Sequence, residues 1–408
     1  MSEEKSSRFS GVVTKLGLQP LEAPTLVAHG NKRLQIGLPR ERSFDEHRIA
    51  LTPDSVRTLV NQGHEILIES DAGKDCSFFN NEFSEAGAEI TNDVEKVFKS
   101  DIIIKVAPLV MEEIDMLATH QTIISSIHLP TIKKPYIDKL MQKKVTALAF
   151  EYIQDSAGFF PFVRSMSEIA GNSVILIAAE YLSTISGGKG LLLGGISGVP
   201  PTKVVILGAG VVGTNAANAA LGLGSIVSVF DDNVYKLMRL QNELGTRIFT
   251  SVILPDILIK ELVTADVAIG AIHSKEGRTP MIVPETMVQQ MKPGSVVIDV
   301  SIDQGGCFET SEVRYHDNPS FRKFGVIHYC VPNIPSRFAR TASQAFSNIL
   351  TPVLSRTGKM GGFKNLLYED AGIRHGVYLY KGNLTNVHLS NKFDLKMSNL
   401  ELLFAANY

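Results

Sequence analysis

The chain is 408 residues long, beyond the roughly 100–200 residues of one ordinary domain, so two domains with separate cores are expected. Its 44% hydrophobic and 20% charged residues are those of a globular chain, and forty Lys+Arg against forty-two Asp+Glu, with no basic block, argue against a nucleic-acid partner. The longest apolar stretch, Ser173–Leu182, is broken by Glu180 and falls short of the ~20 residues of a membrane span. Three cysteines without a C-x-x-C pair indicate neither a disulfide framework nor a metal site. Glu3 and Glu4 stand where a secretory signal would begin its apolar run, so a cytoplasmic address is expected.

Residues 1–33 show no sustained period and are expected to form an N-terminal arm. The first strand is predicted at Leu34–Leu38, a helix from Pro53 to Val60, and further strands at His64–Glu69, Asp101–Lys105, Thr122–Ser126 and Val145–Ala149. Helical segments near Glu82–Ala88 and Lys134–Met141 separate some of them. Met166-Ser-Glu-Ile-Ala-Gly171 leads into a long helix ending near Thr184, followed by a glycine-rich segment, Gly187–Gly198. A second alternation runs from Lys203 to about Tyr329, with strands near 204–207, 226–230, 266–271 and 295–300. Beyond Arg340 the chain has no βαβ logic of its own and is expected to pack back on the first unit. Strands alternating with helices imply an α/β fold: two Rossmann-like, doubly wound parallel-sheet domains flanking a cleft.

The apolar strand Val204–Leu207 runs into Gly208-Ala-Gly210-Val211-Val212-Gly213 and a helix, and a second strand then ends at Asp231. In such a fingerprint the first glycine permits the tight turn, the second lets backbone approach a pyrophosphate, and the third lets helix pack on strand. Asp231, eighteen residues after Gly213, is placed to accept from a ribose 2′-OH and to repel a 2′-phosphate, so NAD is the expected cofactor. Asp232 is its local rival.

Four stretches carry candidate chemistry. Arg48 offers a planar fork for a carboxylate, although a surface arginine in a charged loop reads as well locally. His128 follows an apolar strand at the end where ligands meet parallel sheets, with a core histidine as the alternative. Asp303, in Ile302-Asp-Gln-Gly-Gly-Cys307, reads as a carboxylate facing a nicotinamide or as a turn-former. Ser167 reads as a helix cap or a ligand donor.

Ile36-Gly-Leu-Pro39, Arg48-Ile-Ala-Leu-Thr-Pro53, Ser126-Ile-His128-Leu, Met166–Gly171, Gly208–Gly213, Asp303–Cys307 and His328–Pro335 follow one another as in the alanine dehydrogenase family, which the chain resembles over about residues 34–395. The resemblance implies a substrate domain of residues 34–162 plus 340–408, an NAD domain of 163–339, a homohexamer, and oxidation of L-alanine to pyruvate and ammonium. It implies that Arg48 holds the substrate carboxylate and that His128 is the general acid/base. Asp303 would sit by the reacting amine, Ser167 and Asn333 would position cofactor or substrate, and Ile272 would line the nicotinamide side.

Family members carry Lys-Val-Lys-Glu-Pro where this chain reads Lys105-Val-Ala-Pro108, with Ala107 in place of the substrate-contacting lysine. Lys105 is therefore the expected substrate-binding replacement. His273–Arg278 is also more charged than its family counterpart. These departures leave open dehydrogenation of another amino or imino acid, and an NAD-binding homologue of impaired activity with a sensing or assembly role.

Overall fold

Short, uninterrupted apolar runs such as Ile102-Ile-Ile104, buried along their whole length, require a sheet covered on both faces. The computed structural model describes residues 30–43, 45–274 and 277–405, so the expected arm lies outside the described residues up to position 29. The first sheet uses β1 (Gln35–Leu38), β2 (Glu65–Glu69), β3 (Glu89–Thr91), β4 (Ile102–Ile104), β5 (Thr122–Ser125) and β6 (Thr146–Ala149), all parallel. The second uses β7 (Lys203–Leu207), β8 (Ile226–Phe230), β9 (Phe249–Ser251), β10 (Val267–Gly270) and β11 (Val296–Asp299), then β12 (Ser320–Lys323), antiparallel to β13 (Val326–Tyr329). β14 (Val377–Tyr380) and β15 (Asn383–Leu384) return to the first sheet as an antiparallel edge beside β6.

The strand orders are β15-β14-β6-β5-β4-β1-β2-β3 and β12-β13-β11-β10-β7-β8-β9. Each sheet therefore reverses direction beside its own first strand, at β1/β4 and at β7/β10, and ligands bind outside the carboxyl ends of strands at such a switch point.

The helix Pro161–Leu182 joins the halves. Gly171 lets it press against the helix Val211–Gly222: a Cβ there would stand 2.5 Å from the Val212 carbonyl oxygen. The helix Ala339–Lys359 carries the chain back, and its Phe346 packs edge-on against Phe150 with ring centroids 4.4 Å apart. Leu350 and Leu354 of this helix are buried in the core of the first sheet together with Ile36 and Leu59.

Two expectations change. The long helix begins at Pro161, not after Gly171, because proline occupies its first turn, where a missing N–H costs nothing. The C-terminal segment supplies two strands as well as helices. Among the described residues no helix is long and apolar enough to cross a membrane.

The return of the chain makes a stability prediction. Leu379 on β14 is fully buried, so Leu379→Ala should cost about 2–5 kcal/mol in urea unfolding. A loss below about 1 kcal/mol would mean that β14 contributes little to the first core.

Candidate active site

The turn after β7 is shaped by two glycines and left open by a third. Gly208 has φ +109°, and a Cβ on it would lie 2.3 Å from the Ala271 carbonyl oxygen. A Cβ on Gly213 would lie 1.8 Å from the Gly208 carbonyl oxygen. At Gly210 no atom stands within 4 Å of that position. Val211 and Val212 then open the helix Val211–Gly222, whose first N–H groups have no helical acceptor and face whatever lies over Gly210. This is the space a pyrophosphate takes, and the donors present suit it.

Beside the turn is a cavity of about 150 Å³ lined by Gly210, Asp231, Asp232, Lys236 and Ile272, among others. Asp231 is buried and rigid. Its Oδ2 accepts from the Ala209 N–H at 2.8 Å, its Oδ1 accepts from the Asn233 N–H at 2.8 Å, and Lys236 Nζ lies 3.4 Å away. A carboxylate has about four lone-pair positions, so it retains capacity for a ribose hydroxyl. Ile272 donates its N–H to Ser301 Oγ at 3.0 Å, which ties the β10 loop to the β11 loop. Of the charged stretch after His273, Lys275 and Glu276 lie outside the described residues.

Asp303 stands on a 3₁₀ turn, Val300–Gln304, closed by Gly305 and Gly306 at φ +97° and +81°. Asp299, wholly buried, braces this turn by accepting from the Ser301 N–H at 3.0 Å, the Cys307 N–H at 2.9 Å and Ser311 Oγ at 2.6 Å. Asp303 has surface open to the cleft, yet the protein crowding its carboxyl raises it to about 6 against the pull of His128 and Arg48. The same turn therefore brings a carboxylate from the second sheet within electrostatic reach of an imidazole and a guanidinium from the first.

Arg48 is no surface arginine: it is 7% exposed. Glu46 binds one edge of its guanidinium, Oε1 to Nε at 2.7 Å and Oε2 to Nη2 at 2.6 Å. Burial alone would raise the Glu46 carboxyl, but Arg48 overrides it and holds it below its ordinary value. Glu46 also accepts from Asn333 Nδ2 at 3.1 Å, a bond from the first half to the second. Among the described residues the remaining edge of the guanidinium, Nη1 with Nη2, meets only the Met166 sulfur, 3.3 Å from Nη1. A thioether is a weak acceptor, so a carboxylate would displace it.

His128 is exposed in the cleft and has φ +47°. Its backbone is held by Glu151, whose Oε1 accepts from the Ile127 N–H at 2.8 Å and the His128 N–H at 3.0 Å. Asn333 is also left-handed, at φ +57°, and starts the turn Ile334–Phe338. Ser167 is the seventh residue of its helix, so the cap reading fails by position, and the helix brings it beside Met166 at the cleft.

The expectation for Lys105 is corrected. Its side chain has no exposed surface, and Nζ lies 2.8 Å from both Glu113 oxygens and 3.6 Å from Glu41. An ammonium so enclosed is not offered to a substrate; removing it from its partners would leave buried carboxylates unpaired. Glu41 in turn accepts from the Val106 N–H at 2.6 Å, and burial pushes it up to about 8 against Lys105. Ala107 is buried, 3.4 Å from Glu41 through its N–H.

The Alanine dehydrogenase/PNT family models match this chain twice, the N-terminal domain at residues 37–170 and the C-terminal domain at 174–387. The chain belongs to this family. Alanine dehydrogenase 2 of Staphylococcus aureus strain USA300 is 37% identical over 372 residues, covering 90% of this chain and 99% of the relative. A solved L-alanine dehydrogenase superposes with a TM-score of 0.84 at 35% identity, covering 88% of this chain and 99% of the other. A transhydrogenase from Sinorhizobium meliloti, at 22% identity and TM-score 0.73, shares the fold. The chain is thus an NAD-dependent amino-acid dehydrogenase of the alanine dehydrogenase family.

Among the carboxylates that escaped sequence reading are Glu41, Glu46 and Glu151. Each acts by accepting from backbone or guanidinium N–H groups distant in sequence or hidden within a charged loop, and no local pattern marks them. Glu46 alone carried a signal, its i, i+2 spacing to Arg48.

The cradle gives a prediction that separates folding from cofactor binding. Gly210→Ala meets no protein atom, so Tm should stay within about 2 °C. NADH affinity, read by fluorescence titration, should fall at least about tenfold as the methyl enters the pyrophosphate space. An unchanged Kd would mean that the dinucleotide does not lie over Gly210.

Proposed function

We propose that this chain catalyses the reversible oxidative deamination of L-alanine to pyruvate and ammonium, using NAD, in a cleft between a substrate domain (34–162 plus 340–408) and an NAD domain (163–339). The observation that carries the reading is the meeting of Arg48 and His128, from the first sheet's loops, with Asp303 and Asn333 from the second, beside the glycine cradle.

The remaining fork of Arg48 takes the substrate carboxylate in place of the Met166 sulfur, with its charge already oriented by Glu46. Asn333 sets the position of Glu46 and so of that fork. The glycine cradle and Asp231 would hold NAD, whose chemistry there would be to take up the hydride from the substrate Cα. The substrate ammonium first gives a proton to solvent, and Asp303, ionised above about pH 6, then stabilises the positive charge that develops on the amine nitrogen as hydride leaves Cα. His128 takes a proton from the water that adds to the iminium carbon, and returns a proton to nitrogen as the carbinolamine collapses. Lys105 is a positioning group in this scheme, ordering Glu41 and the 106–110 loop. Ser167 and Ile272 border the nicotinamide side, and Asp231 takes the adenosine ribose.

A homohexamer in the cytoplasm completes the proposal. The glycine-rich segment supports assembly, since it exposes Ile185, Leu192, Ile196 and Val199, an apolar surface of the kind that subunits cover. The three cysteines are unpaired and buried, as suits a reducing compartment.

The test is NADH oxidation across a panel of 2-oxo acids with ammonium. Pyruvate should give the highest kcat/KM, and preference for another 2-oxo acid would move the substrate assignment. His128→Ala should lower kcat by at least about a thousandfold while NADH binding changes less than about threefold; retained turnover would remove the acid/base role. In the forward direction kcat/KM should lose about tenfold per pH unit below about 6, because protonated Asp303 no longer opposes the developing cation. A profile flat to pH 5 would contradict that.

A further inference from the structure

Behind the strap that carries Arg48 lies a larger cavity, of about 770 Å³, within the size range of small-molecule sites. His47 and Asp75 line it from the first half, Glu180, His316 and Arg337 from the second, and Arg340 from the start of the returning helix. None of Arg48, His128, Asp303 or the glycine cradle lines it.

The cavity and the active site share one wall. Along Asp45–Arg48, Glu46 and Arg48 pair with each other on the cleft side, while His47 between them lines the cavity. The strap is fastened to the second half from this side. The His47 N–H donates to Ser336 Oγ at 2.9 Å, Ser336 Oγ donates to the Asp45 carbonyl at 2.7 Å, and the His316 N–H donates to Asp45 Oδ2 at 3.0 Å. Asn333, three residues before Ser336, holds Glu46 on the other face. An occupant that shifts this wall shifts the Arg48 fork.

The charges select the occupant. Arg337 is paired with Glu180 at 2.6 Å. Asp75 and Arg340 flank the same turn, Lys74–Ser77, yet no ion pair joins them among the described residues. Arg340 lies over the Phe78 ring at 4.1 Å and donates from Nη1 to the Ser77 carbonyl, leaving Nε and Nη2 without an acceptor among the described residues. Among the described residues the one charge partner of Asp75 is His47 Nδ1, at 3.7 Å. One cation and one anion held apart at a cavity of balanced charge favour a ligand that carries both signs over a simple ion. Tyr181, Phe338 and Ala339 supply an apolar wall for a side chain.

We propose that this cavity is a second, non-catalytic site for a free α-amino acid, its carboxylate on Arg340 and its ammonium on Asp75, and that its occupancy alters substrate affinity through the Asp45–Arg48 strap.

The test is the rate of alanine oxidation in the presence of each proteinogenic L-amino acid that the enzyme does not itself oxidise. At least one should change the alanine KM by about fivefold in a saturable, partial manner. Asp75→Asn and Arg340→Met should each remove that effect while the KM without effector stays within about twofold. Among the described residues the Asp75 carboxylate has no ion pair besides His47, and Asp75→Asn keeps the side chain's size, so this variant decides the matter if Arg340→Met is unstable. The proposal is overturned if no amino acid moves the KM, if inhibition is purely competitive with alanine, or if the effect survives in Asp75→Asn.

Discussion

A guanidinium can be buried only where its charge is matched and its N–H groups are accepted. Glu46 does both for Arg48, through bonds of 2.6 and 2.7 Å along one edge. Because that edge is filled, the side chain has one orientation and one remaining fork, from which the proposed geometry of substrate binding follows. The same carboxylate accepts from Asn333 across the cleft, so the fork is correctly aimed only when the two halves stand in the right relation.

The second half is built with the same logic. Asp299 spends its carboxylate on the backbone of the turn that carries Asp303, and Asp231 spends part of its own on the glycine turn. In the first half Glu151 does this for His128 and Glu41 for the loop after β4. Buried carboxylates holding backbone N–H groups fix loop ends that would otherwise be mobile, which is what a site made from the ends of several strands requires.

The alternation of apolar strands and helices was enough to read both sheets and the cleft, because a parallel sheet buried on both faces leaves unbroken apolar runs. The glycine fingerprint was equally legible, since close approach admits no other residue at Gly208 and Gly213. Three-residue strands such as β3 and β9 leave no period to read, and β14 becomes a strand because β6 offers it an edge, on which β15 then pairs. The fate of Lys105 was illegible for a related reason. Its partners Glu41 and Glu113 meet it only in the folded chain, and sequence spacing alone cannot distinguish an ammonium open to a ligand from one sealed between carboxylates. Ala107 stands where the family resemblance implies a substrate lysine, and Lys105, paired with Glu113, supplies no replacement cation, so the proposed mechanism leaves the substrate carboxylate to Arg48 alone.

That claim is open to one direct measurement, a crystal structure of the enzyme with NADH and pyruvate bound. The account predicts the pyruvate carboxylate on Nη1 and Nη2 of Arg48, with the Met166 sulfur displaced, the keto carbon between His128 and Asp303, and Lys105 still paired with Glu113. A carboxylate bound away from Arg48, or Lys105 released to meet it, would contradict the account.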